Sequence, residues 1–446
     1  MSENHIFSRL MSGTYIFKNE NFAGDIKITP SHIKLHKNIR FDNCSFSNNL
    51  LFKNIELPIN ITFVDCSFYD GLEIIECKIQ NLKFKDQKKI KDVIIMSSEF
   101  QSIIFNTDHN LEGDFAIRQT VVHFEINFSK IKYLKSLRLE INFNLEVIPN
   151  RLTTLLNHSN FKNLHIHGQV GGCLLDRTII DETLKFDNVY SRGLNLNKAL
   201  LKGKAVFKNC NFGSIFRFTN VNAIECNVSF ELCTFEKHTF FSGTYANNFE
   251  IKDVSFEARA SFDSLKVVNI DFYLVTFQKI AFFDNLNISN VVGCNRRTLR
   301  TIKQELQKAE NRIDYNRFRA YELQAFYREL KWNKNFKDWF ILGATRVVTG
   351  FDHSWTRAFW FTIGSGILCY STLYFTQFHG SYDFSELNNF FTGAFRFFLI
   401  TDFSSPFEEK GTYLTNAWLW IPLILGKIVI AFGIYEMIQA FRKFKA

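Results

Sequence analysis

The stretch FDNCSF, Phe41 to Phe46, returns as FVDCSF from Phe63 to Phe68, as FKNCNF from Phe207 to Phe212 and as FELCTF from Phe230 to Phe235. The first two copies start 22 residues apart and the last two 23. Between them a looser beat runs on: Phe63, Phe84 and Phe105 follow at steps of 21, and Phe186 precedes Phe207 by 21. A period of twenty-odd residues is the mark of a solenoid. The apolar runs that carry it (ITF, VIIM, SIIF, VVHF) are short and broken by Asn, Asp, Ser and Gly, which predicts strands and turns rather than helical repeats. Within one phrase, Phe41, Cys44 and Phe46 can all turn inward while the polar residues between them face water. Stacked coils then place Phe over Phe and Cys over Cys, a core that no single repeat could form. The 52 Phe of the chain are consistent with such recurring slots.

These phrases resemble the pentapeptide-repeat proteins, although the alternating small residue of that family is often replaced here. The resemblance implies a mainly β, right-handed β-helix over residues 1–292. Residues 143–182 break the beat. NFNLEVIPNRLTTLLNHSN carries Pro149 and a run with helical character, so an irregular insertion is expected there. His165 and His167 alternate on one strand face, and with no third ligand in view they read as solvent-facing residues rather than a metal site.

The chain carries a formal net charge of +9, which favours anionic partners such as lipid headgroups or nucleic acid. The opening MSENHIFSRLMSG lacks the apolar stretch of a signal peptide, so the repeats are expected in the cytoplasm. Nine Cys form no CxxC pair and several sit inside the repeated phrase; they read as buried reduced thiols.

Texture changes after residue 292. Residues 293–350 form a predicted helical connector: RRTLRTIKQELQKAENRIDYNRFRAYELQAFYRELKW lacks Gly and Pro and turns at Asn311 and Arg312. Residues 351–446 read as a two-span membrane module. One apolar run covers about 355–378 and a second about 415–440, with Trp355, Trp360, Trp418 and Trp420 at their ends. Lys331, Lys334, Lys337 and Arg346 precede the first; Arg442, Lys443 and Lys445 follow the second. The stretch between carries mainly acids: Asp383, Glu386, Asp402, Glu408 and Glu409. Both termini are therefore expected on the cytoplasmic side of the inner membrane.

Between the spans, NNFFTGAFRFFLITDFSSPF is too short for a third span. It predicts a re-entrant half-helix over about 389–403 that ends in a Thr-Asp-Phe-Ser-Ser turn; an interfacial helix on the outer leaflet is the plainer alternative. The order of parts resembles the two-helix, pore-loop module of the tetrameric cation channels. The glycine-containing filter of that family is missing, so Thr401, Asp402 and Ser404 are the candidate pore residues, and potassium selectivity is not implied. Lys427, in mid-span, is a further pore candidate. Gly426 and Gly433, seven apart, share a face suited to close packing. Glu436 is placed to reach headgroups or the connector.

No nucleophile elbow, phosphate-cradling loop or HExxH helix is present, so an enzyme is not expected, and no cofactor is implied. Taken along its length, the chain resembles the membrane channel effectors of Hailong-type anti-phage defence systems. That resemblance implies a homotetrameric ion channel gated by its β-helix, with a single-stranded oligodeoxyadenylate made by a partner nucleotidyltransferase as the signal. The densest basic stretches, Lys83, Lys85, Lys88, Lys89 and Lys91, and Lys130, Lys132, Lys135 and Arg138, are then candidate ligand residues; a solvated coil edge is the plainer reading. The competing function is a non-conducting, membrane-anchored scaffold whose β-helix binds a protein. A DNA-mimicking topoisomerase binder would need an acidic surface, which the net charge opposes.

Overall fold

The computed structural model describes residues 3–33, 37–141, 152–351, 354–377, 387–407, 413–414 and 416–442. It divides into two compact units, Met1–Thr298 and Leu299–Ala446.

The first unit is a β-solenoid of about 12 turns. Its strands pair in parallel with the strand one coil away, and the register follows the repeat: Phe41 lies against Phe63, Phe63 against Phe84, and Phe207 against Phe230. The rings stack as predicted. Centroids are 5.2 Å apart for Phe41 and Phe63, 5.3 Å for Phe63 and Phe84, and 4.6 Å for Phe207 and Phe230, all fully buried. A second column runs through Phe212, Phe235, Phe256 and Phe277 at about 5 Å spacing.

The Cys position of the phrase has a polar reason. Cys66 Sγ donates to the Phe41 carbonyl and Cys233 Sγ to the Phe207 carbonyl, each at 3.4 Å, so the thiol satisfies a backbone acceptor inside the coil. Where Cys is lost, another buried donor replaces it. Gln87 Nε2 donates to the Phe63 carbonyl at 2.9 Å, and Thr107 Oγ1 to the Gln87 carbonyl. The residue before the Cys of the repeated phrase takes a left-handed conformation, as at Asn43, Asp65 and Asn209, which suits Asn and Asp. At Leu232 a Leu occupies that position with φ of 54°.

Helix α1 (Glu3–Met11) packs on the first coil. Ile6 and Leu10 are buried, the Arg9 guanidinium lies over the Phe17 ring, and Arg9 pairs with the nearly buried Glu20. Within the expected irregular segment the run with helical character is corrected to a strand. Pro149 lies outside the described residues, but from Thr153 the solenoid runs on without a helix. Thr153–Leu155 pairs in parallel with Glu125–Asn127 and with Gly172–Leu174. The run TTLL alternates instead of winding: Thr154 and Leu156 point inward and the chain turns at His158 with φ of 57°.

The remaining helices are α2 (Arg296–Lys308), α3 (Arg312–Glu329), α4 (Phe336–Val348), α5 (Trp355–Gln377), α6 (Leu387–Phe398) and α7 (Ala417–Arg442). The predicted turn at Asn311 is an N-cap, its Oδ1 accepting from Asp314 N at 3.1 Å. Glu322 of α3 ties this helix to α2 by accepting from Arg300 and Lys303. Two helices, α5 and α7, are long and apolar enough to cross a membrane.

Candidate functional site

α6 stops at Phe398 because the next turn is committed elsewhere. Asp402 Oδ1 accepts from Ser404 N at 2.9 Å and also from the Ser404 hydroxyl, a local loop that competes with helical hydrogen bonding. Ser405 and Pro406 are buried behind it. The helix is seated by three glycines, one from each apolar element. A Cβ on Gly366 of α5 would come within 2.4 Å of the Phe398 ring, and one on Gly426 of α7 within 2.4 Å of the Phe397 ring. A Cβ on Gly393 of α6 itself would meet the Tyr370 hydroxyl at 2.2 Å. Tyr370, Leu373, Phe397, Leu423 and Ile430 form the buried core of this assembly. The short helix therefore folds back between α5 and α7 rather than standing alone on a surface.

Lys427, close to the middle of the 26-residue α7, is 3% exposed. Its ammonium donates to the Phe397 carbonyl at 2.7 Å and to the Leu399 carbonyl, and it sits 5.3 Å from the centre of the Phe397 ring. The last carbonyls of a helix lack partners within it and carry the negative end of its dipole, so a cation there is doubly favourable. Lys427 is thus the C-terminal cap of α6, and its side chain faces protein rather than an open passage within the chain.

The other predicted residues fall as follows. Thr401 is exposed, and Asp402 and Ser404 are half-buried in one turn. The cations acting on Asp402 are Lys427 and Arg396, so its carboxylate does not stand alone. Gly433 packs on α5, where a Cβ would come within 2.1 Å of Thr362 Oγ1. Glu436 is 4% exposed and accepts from the Thr349 hydroxyl at 3.0 Å, so it reaches the connector, at the C-terminal end of α4. Asp383, Glu386, Glu408 and Glu409 lie outside the described residues.

The two basic stretches are brought together only in part. Lys88, Lys89, Lys91 and Lys135 line one groove of about 510 Å³ with Tyr69, but Glu112 and Asp114 line it too. Lys91 pairs with Asp70 at 3.0 Å, Lys135 with Asp114 at 3.8 Å, and Lys89 lies 4.6 Å over the Tyr69 ring. Arg138 pairs with Glu140 on its own strand. Lys83 and Lys85 are exposed on the strand Lys78–Lys85, and Lys130 and Lys132 flank a turn. Among the described residues no group of three or more His, Cys, Asp or Glu is placed to hold a metal. Comparison of the chain with protein-family models, curated proteins and solved structures finds no match.

Proposed function

We propose that the protein is a membrane ion channel whose pore is built around the Leu387–Phe407 segment and whose solenoid controls its opening. The observation that carries this reading is the end of α6 held at mid-length of α7 by Lys427. If α5 and α7 cross a bilayer, the non-helical turn from Leu399 to Ser405 ends at membrane depth. Irregular backbone is tolerated there only when it is buried in protein or lines water. Thr401 and Phe403 are exposed in the single chain, so further copies are needed to enclose the turn. Four copies, an inner-membrane location with both termini cytoplasmic, a role in anti-phage defence and control by an oligodeoxyadenylate follow from the resemblance to the Hailong-type effectors.

Recording from the purified protein in planar bilayers, with its mass measured in detergent, tests the reading. Unitary currents from an oligomer support it. A monomer without conductance, with or without added oligodeoxyadenylate, rejects it in favour of the anchored scaffold.

A further inference from the structure

α4 precedes the first apolar helix, and its first two turns are exposed on most sides, Ile341 at 60% among them. Thr345 and Val348 are buried, and Trp339 stacks on Tyr327 of α3 with centroids 6.1 Å apart. One side is bare and wholly apolar. Phe336, Phe340 and Val347 are 53%, 60% and 60% exposed, at spacings that put them on one helix face. Trp332, 65% exposed, extends the strip by packing edge-on against Phe336, and Phe336 stacks on Phe340. Lys331, Lys334 and Lys337 surround the start of this strip and are all exposed.

Beside it lies a groove of about 580 Å³ lined by Tyr321, Gln324, Arg346, Gly350 and Arg357. Arg346 lies over the Tyr327 ring, and Arg357 reaches only the Val347 carbonyl, at 3.4 Å. Neither guanidinium pairs with a carboxylate among the described residues. Gly350, at φ of 67°, leaves room for Arg357, because a Cβ there would approach its Nη1 to 3.0 Å.

An apolar strip edged by lysines, next to two arginines with no carboxylate partner among the described residues and to the start of a helix able to span a bilayer, matches one kind of partner. We infer that α4 lies in the interface of an anionic bilayer, its Phe336–Phe340–Val347 face among the acyl chains and Arg346 and Arg357 on lipid phosphates. The apolar face supplies partition and the cations select anionic headgroups. Because the Thr349 hydroxyl at the end of α4 donates to Glu436 of α7, lipid bound at α4 is mechanically tied to the second span. The inference rests on the membrane reading of α5 and α7, but not on conduction.

The test is nitroxide accessibility in the full chain with Cys369→Ala, since the other cysteines are buried. Labels are placed by Phe340→Cys, by Asp338→Cys on another side of α4, and by Leu368→Cys, which is 68% exposed on α5. The protein is reconstituted in phosphatidylcholine vesicles with and without phosphatidylglycerol. Label 340 should collide with oxygen several-fold more, relative to a water-soluble nickel chelate, than label 338. Phosphatidylglycerol should raise that ratio, and Arg346→Gln combined with Arg357→Gln should abolish the rise while label 368 is unchanged. A lipid-exposed label 368 with label 340 open to nickel overturns the inference alone. So does label 340 shielded from both reagents, which would mean that protein covers the face. If label 368 is itself open to nickel, the membrane reading fails and this inference with it.

Discussion

The Lys427 ammonium donates to the Phe397 carbonyl across 2.7 Å, and the two residues, 30 positions apart in the chain, belong to different helices. A lysine in the middle of an apolar helix is thereby the cap of the short helix on whose end the proposed pore depends. Gly426, its neighbour, lets α7 approach the Phe397 ring closely enough for the contact to form.

Lys427→Met should release the end of α6. Each buried acceptor left without a donor costs about 1–3 kcal/mol, so with two of them freed the C-terminal helices should lose about 2–6 kcal/mol. Thermal unfolding in detergent and bilayer recording measure the two consequences, a lowered midpoint and lost or erratic conductance. A variant as stable as the parent with identical currents would refute the capping role.

Asp402→Asn should act more gently. Asn Oδ1 can still accept from Ser404, so the turn survives while its charge is lost. Cation conductance should fall, most clearly at low salt where screening is weakest. With Lys427 and Arg396 already opposing Asp402, the loss should be a few-fold rather than complete. Single-channel currents across a salt series check it, and an unchanged series would remove Asp402 from the permeation path.

Leu232 occupies a left-handed position, and its side chain is 51% exposed. A left-handed conformation costs an ordinary L residue roughly 1–2 kcal/mol and Asn less. Leu232→Asn should therefore stabilise the solenoid by about 0.5–1 kcal/mol, read from its denaturant midpoint. Leu274, with φ of 51°, invites the same exchange.

Burial alone would raise the Glu322 carboxyl, but Lys303 and Arg300 outweigh it and hold the group below the usual carboxylate range. The folded value lies below the unfolded one, so the stabilisation is present above the unfolded value, about 4.3, and is lost as pH falls through the folded one. The α2–α3 pair should weaken as pH drops from about 5 to 3. Glu322→Gln should flatten that dependence in thermal unfolding at each pH, and an equal slope in both proteins would contradict it.

The solenoid was legible because its signal repeats: each Phe of the phrase announces the next, and the register from Phe41 to Phe63 follows the spacing. The column through Cys66, Gln87 and Thr107 was less so, since three unlike residues do one job, donating to an inward carbonyl. Thr153–Leu156 misled because two Thr and two Leu fit a helix or a strand equally well until Gly172–Leu174 supplies a partner. For Lys427 the sequence marked a costly position without naming what it meets, because a backbone carbonyl has no residue signature. Glu436 and Thr349, 87 residues apart, left no trace in spacing either. α1 leaves a fainter mark, Ile6 and Leu10 one helical turn apart in a run of nine residues.

The parallel stacking of coils bears on how such a chain can change over generations. A coil touches only its neighbours, so duplicating or deleting one length of 21 to 23 residues leaves matching Phe and thiol slots on both sides. Length should therefore drift in whole coils, with the ladder resealing after each event. The seat of α6 permits no such drift: Gly366, Gly393 and Gly426 each answer one particular ring, and a single inserted residue would misalign all three.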